Sequence, residues 1–191
     1  MIDRMPIPHS PADLSSSWLT MALRQGHAIG AATVRDFECS APEAGKGFYG
    51  QIVGLKLTYD QAEADGPRSI IAKFSSSNPE MRLRPNTRRS YEREIRFYQD
   101  IAKQSVLPVP ACYYADMETS TGWHVLLLED LAPARSGSRT QSCSPAQART
   151  AIRHRAGYHP WSRSPAKERF RRCPQTSSHI PTRDSRVPDA P

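Results

Sequence analysis

No two cysteines of this 191-residue chain stand at C-x-x-C spacing. The four, Cys39, Cys112, Cys143 and Cys173, are scattered and have no histidine at ligand spacing, so neither a zinc site nor a disulfide framework is indicated. No apolar run approaches the length of a membrane span, and the opening MIDRMPIPHSPADLSSSW lacks the apolar core of a secretory signal. The expectation is a soluble, cytoplasmic protein without a membrane partner. No internal repeat is present. Basic side chains are scarce over most of the length, in spite of a net charge of +7: residues 1–134 hold 14 of the 26 Lys+Arg but 16 of the 19 Asp+Glu. The excess belongs to residues 135–191, with 12 basic against 3 acidic side chains, which marks a basic tail and not a basic fold.

That tail in turn has little periodic apolar pattern. It carries seven of the 17 prolines, and eleven arginines to one lysine. A short helix is expected over 145–158, with Ser144 as its cap and Pro145 at its first position. Past Pro160 the segment cannot bury enough apolar surface to offset its ordering entropy, so 161–191 is expected to be disordered. A charge of +9 over 57 residues would attract polyanions without sequence preference. Its aromatics, Tyr158, Trp161 and Phe170, form no stacking pattern, and a nucleic-acid partner is disfavoured.

The first two-thirds of the chain is better patterned. SPADLSSSWLTMALRQG reads as a helix capped by Asp13 or a following serine and ended by Gly26, with Trp18, Leu19, Met21, Ala22 and Leu23 as its apolar face. AATVRDFECS, YGQIVGLKLTY and RSIIAKFSS read as strands, the second with Ile52, Leu55, Leu57 and Tyr59 interleaved with polar or small residues. NPEMRLRPN reads as loop. Tyr91, Ile95, Tyr98 and Ile101 then give a helical stripe through TRRSYEREIRFYQDIAKQS. An extended, proline-punctuated segment follows, and the continuous apolar run Val125–Leu128 suits a central strand.

Leading from the first strand into the second are Gly45, Gly47 and Gly50, in the order G-x-G-x-x-G. A dinucleotide-binding loop would place them between a strand and a helix, with an acidic residue about 20 positions on, a count that Asp65 meets. The sequence before Gly45 is no strand and the sequence after Gly50 is β-patterned, so a hairpin flap of the kinase type, closing over nucleotide phosphates, fits better. An ordinary glycine-rich hairpin remains open. Lys73 in the third strand stands where a lysine would reach the α- and β-phosphates, and Glu94 on the next helix could hold it as an ion pair. Each alone also suits a surface role, Lys73 on an edge strand and Glu94 on a solvated helix face.

Together WLTMALRQG, GKGFYGQIVGLKLTY, IIAKFSS, YEREIRFYQDIA and VLLLEDLAP resemble the amino-terminal lobe of the aminoglycoside phosphotransferase and choline kinase-like superfamily, in its ecdysteroid kinase-like branch. The likeness covers roughly residues 12–134. It implies an α+β, protein-kinase-like lobe with an antiparallel sheet and flanking helices over 1–134. The implied activity is transfer of the ATP γ-phosphate, with Mg, to a hydroxyl of a small acceptor. Carried over by position, Gly45, Gly47 and Gly50 form the phosphate-covering loop, Lys73 binds phosphates, Glu94 pairs with Lys73, and the Glu129 carbonyl and Leu131 amide meet adenine at the hinge between lobes.

The same resemblance implies an H-x-D catalytic loop and a metal-binding aspartate after residue 134. None of the six histidines has an aspartate two places on, so no catalytic and no metal residue is assigned. The expected organisation is a nucleotide-binding lobe over 1–134, the start of a second lobe over 135–160, and the tail. The arginine-, serine- and proline-rich composition of that tail is what a GC-rich gene read out of frame tends to give. The chain is therefore expected to be a truncated or frameshifted kinase with little or no turnover. Two other readings stay open, a non-catalytic nucleotide-binding or interaction module that self-associates through an uncovered inter-lobe face, and a nucleic-acid binder acting through the tail.

Overall fold

The computed structural model describes residues 5–40, 50–61, 66–105, 108–134 and 142–161. Helix α1 spans Ser16–Gln25, and the two candidate caps divide the work at its start. Ser15 Oγ accepts the Trp18 N–H at 3.1 Å, whereas Asp13 Oδ2 accepts the amides of His9 (3.0 Å) and Ser10 (2.9 Å) in the preceding tight turn. Gly26 caps the end of the helix, and only glycine fits there, because a β-carbon would lie 1.7 Å from the Tyr113 carbonyl oxygen. Trp18, Leu19, Ala22 and Leu23 are buried as the apolar stripe requires, but Met21 is 48% exposed. It falls on the far side of the helical turn from the core, so it does not belong to the apolar face.

Strands β1 (Val34–Ser40), β2 (Gly50–Tyr59), β3 (Ser69–Ser75), β4 (Cys112–Met117) and β5 (His124–Glu129) form one antiparallel sheet in the order β1-β2-β3-β5-β4. The alternation of side chains along a strand divides the core in two. Leu55, Leu57, Ile70, Ala72, Phe74, Val125 and Leu127 meet α1 on one face. Leu126 and Leu128 turn to the other face, against Ile95. This explains why Val125–Leu128 is continuously apolar: β5 lies between β3 and β4 and is covered on both sides.

The stretch NPEMRLRPN holds a short helix, α2 (Pro79–Leu83), instead of the expected loop. Asn78 Oδ1 accepts the amides of Glu80 (2.9 Å) and Met81 (3.3 Å), and Pro79 occupies the first helical position. Five residues are too few to show a helical period, so only the cap carries the signal. Helix α3 (Pro85–Arg96) buries Tyr91 and Ile95, then loosens into a π-helical turn at Phe97–Ile101 and a tight turn at Ala102–Gln104. Helix α4 (Pro145–Trp161) starts at a reciprocal cap: Ser144 Oγ accepts the Gln147 N–H at 3.2 Å and Gln147 Oε1 accepts the Ser144 N–H at 2.8 Å. Its residues 145–154 are exposed apart from half-buried Ala148. Among the described residues no helix is long and apolar enough to cross a membrane. The architecture is α+β, a five-stranded antiparallel sheet with helices on both faces.

Candidate functional site

Because Ala72 and Phe74 enter the core on the α1 side, Lys73 between them emerges on the opposite face, under α3. It stands in register between Ile52 of β2 and Leu126 of β5. On α3, Tyr91 and Ile95 turn down into the protein and hold the helix at a fixed height over the sheet. Glu94, one residue before Ile95, then meets the lysine: Nζ and Oε1 are 2.8 Å apart, with side chains 29% and 38% exposed. A pair this open adds little to stability. What it does is aim a strongly hydrated ammonium in one direction while two of its three donors stay unused by the carboxylate.

Of the three glycines, Gly45 and Gly47 lie outside the described residues, and Gly50 is the first residue of β2. Since β1 and β2 are antiparallel and a strand follows Gly50, the stretch joins two hairpin strands. The dinucleotide-binding alternative, which needs a helix there, is excluded. Gly50 also has a packing cause of its own, since a β-carbon on it would lie 2.1 Å from the Phe74 carbonyl oxygen. Gly50→Ala is therefore expected to push β2 and β3 apart and cost about 1–3 kcal/mol. Chemical denaturation would show this as a lower midpoint, and an unchanged midpoint would contradict the close approach.

At the other end of the sheet, β5 leads into Glu129, Asp130 and Leu131. Register places Glu129 three residues beyond Leu126, the neighbour of Lys73, or about 10 Å along the strand. The Glu129 N–H donates to the Ala111 carbonyl at 2.8 Å, while its carboxylate accepts the Ala111 N–H at 2.9 Å. Asp130 accepts from the Ser69 hydroxyl (2.8 Å) and the Ala132 amide (3.0 Å), and the Leu131 carbonyl accepts from Ala134 N–H at 2.8 Å. Both acidic side chains are thus turned back on the protein. The Ala111 N–H is taken by the Glu129 side chain, and outside the strand ladders no donor among the described residues meets the Glu129 carbonyl and no acceptor meets the Leu131 amide, which leaves one acceptor and one donor two residues apart.

One feature beside Lys73 was not anticipated from the sequence. His124 and Ser75 face each other where β5 begins and β3 ends, 3% and 0% exposed. Ser75 Oγ donates to the Gly122 carbonyl at 2.8 Å and accepts the His124 N–H at 2.8 Å, and it lies 2.8 Å from His124 Nδ1. With its single proton committed to Gly122, Nδ1 is the donor to Ser75. The Tyr91 ring lies 4.2 Å from the imidazole. Burial, helped by the Lys73 charge, pushes His124 down to about 4, so the ring is neutral at neutral pH. The sequence signal was slight: a lone histidine opening an otherwise apolar run.

Two further groups on this face, Tyr98 and Cys112, are held in their protonated forms. Burial, with Glu94 and Cys112 adding, raises Tyr98 to about 12, and burial raises the Cys112 thiol to about 11. Neither is a base or a nucleophile near neutral pH. Among the described residues no group of three His, Cys, Asp or Glu side chains could hold a metal ion. The described residues therefore offer no matching ligand set for the Mg that the resemblance implies.

The model of the ecdysteroid kinase-like family matches residues 44–182, a range that includes the glycine stretch, β2 to β5, Lys73, Glu94 and the segment after β5. No curated protein matches the chain, and no solved structure matches it. The match covers more than half of the sequence, and the chain belongs to the ecdysteroid kinase-like family, part of the choline kinase-like and aminoglycoside phosphotransferase superfamily.

Proposed function

We propose that this chain binds ATP across the sheet face that carries Lys73, as the nucleotide-binding lobe of a small-molecule phosphotransferase. The observation that supports the reading most is the Lys73–Glu94 pair at 2.8 Å, on the same face as β5, whose far end leaves an acceptor and a donor open. In this reading Lys73 contacts the α- and β-phosphates and Glu94 keeps it aimed. The backbone of the Gly45–Gly50 flap covers the phosphates. The Glu129 carbonyl takes the 6-amino group of adenine, and the Leu131 N–H donates to the neighbouring ring nitrogen. Lys73 supplies positive charge and Glu94 supplies position, the two demands that phosphoryl transfer places on this side of the nucleotide.

The acceptor in this reading is a small hydroxylated molecule. Residues 135–160 belong to the start of a second lobe, of which α4 is the described part, and 161–191 is a basic tail. We infer little or no turnover for these 191 residues, because no histidine is followed two places on by an aspartate that would orient the attacking hydroxyl. Transfer of labelled γ-phosphate to a panel of hydroxylated small molecules tests this. Background transfer is expected, and transfer that saturates with acceptor would contradict it. Nucleotide binding itself is read separately, by titrating ATP into the purified chain.

A further inference from the structure

The Glu129 carboxylate does something that a strand of ordinary geometry does not need. In an antiparallel hydrogen-bonded pair, two facing residues exchange both bonds, each N–H donating to the other's carbonyl. Glu129 and Ala111 exchange only one through the backbone, Glu129 N–H to Ala111 O at 2.8 Å. The reciprocal donor, Ala111 N–H, is taken by Glu129 Oε2 at 2.9 Å. The strand directions agree with this: His124, an even-numbered residue of β5, turns its N–H toward β3, so odd-numbered Glu129 turns its N–H and C=O toward β4. A bulge between Cys112 and Tyr114 brings Ala111 opposite Glu129. The side chain thus occupies the donor that its own carbonyl would otherwise meet.

We propose that the Glu129 carboxylate is a positioning group that sets base preference. By capping the Ala111 amide it keeps the Glu129 carbonyl available to accept from a ligand's amino group. The proposal rests on the nucleotide reading given above and deepens it by naming the side chain that keeps the adenine acceptor open. A shorter side chain at 129 releases the Ala111 N–H. The backbone pair then closes as in any ladder, and the carbonyl is satisfied within the protein. The ligand loses an acceptor, and with it the reason to prefer a 6-amino purine over one that lacks the amino group.

The test compares binding of ATP and purine riboside triphosphate, which carries a hydrogen in place of the 6-amino group and keeps N1 as an acceptor for the Leu131 N–H, to the full chain and three variants. The wild type is expected to favour ATP by about tenfold, the worth of one well-placed hydrogen bond. Glu129→Ala is expected to bring that ratio close to one by weakening ATP, with purine riboside triphosphate bound as before. Glu129→Gln, which keeps an oxygen for Ala111, retains the preference. Ala111→Pro in the Glu129→Ala background removes the competing N–H and restores it. A carboxylate that merely ties β4 to β5 would alter thermal stability in these variants but leave the ratio alone. An unchanged ratio in Glu129→Ala, loss of preference in Glu129→Gln, or no recovery with Ala111→Pro overturns the proposal while the nucleotide site stands. Failure of the folded wild type to bind either nucleotide overturns both.

Discussion

Lys73→Ala is expected to weaken ATP binding by about tenfold to a hundredfold while leaving the folded state almost as stable as before. The affinity term follows from removing a charge-assisted contact to phosphate, about 1.5–3 kcal/mol. The small stability term follows from exposure: the ammonium and its carboxylate partner are both partly open to solvent, where an ion pair contributes little. Glu94→Gln separates aim from charge. It leaves the cation in place but releases it from its 2.8 Å partner, so a smaller loss of affinity is expected. Calorimetric titration of the wild type and both variants with ATP, beside their thermal melts, checks the ordering. Loss of stability in Lys73→Ala equal to its loss of affinity would mean that the pair is structural.

Acidification from pH 6.5 to pH 4 is expected to cost the fold about 3 kcal/mol through His124 alone, since a folded-state value near 4 against 6.5 in the unfolded chain corresponds to roughly 1.4 kcal/mol per unit. In the folded state burial and Lys73 keep the ring neutral until about pH 4, whereas the unfolded chain protonates it near 6.5. Between those values the unfolded state binds more protons. The stability is therefore fully present above 6.5 and is lost as pH falls through the folded value. Asp60, whose carboxyl is held below 3.8 chiefly by the Thr33 amide, acts in a lower and separate window. Urea midpoints at pH 7 and 4.5 should differ in the wild type and converge in His124→Gln. Equal acid sensitivity in the two proteins would contradict the burial of a neutral imidazole.

The parts of this fold that could be read in the sequence are those whose cause is local. Alternation in YGQIVGLKLTY and the unbroken run Val125–Leu128 gave strands with the correct burial, one half-covered and one covered on both faces. Lys73 and Glu94 could be paired because a strand and the helix after it put them on one face, and the ion pair is present. Helix α2 escaped because it is shorter than two turns. Met21 is exposed although it sits in the apolar run, because such a run does not say where the buried stripe ends. Ser75 and His124, 49 positions apart, meet only when β3 and β5 pair. The Glu129–Ala111 arrangement depends on a bulge in β4 that no local pattern announces.

Amide chemical-shift mapping of the isotopically labelled chain during titration with ATP tests most directly whether the face bearing Lys73 binds a nucleotide. Saturable shifts concentrated at Lys73, Glu94 and the segment Glu129–Leu131, and diminished in Lys73→Ala, are the predicted result. A folded protein whose spectrum does not change, or changes elsewhere, would contradict the account.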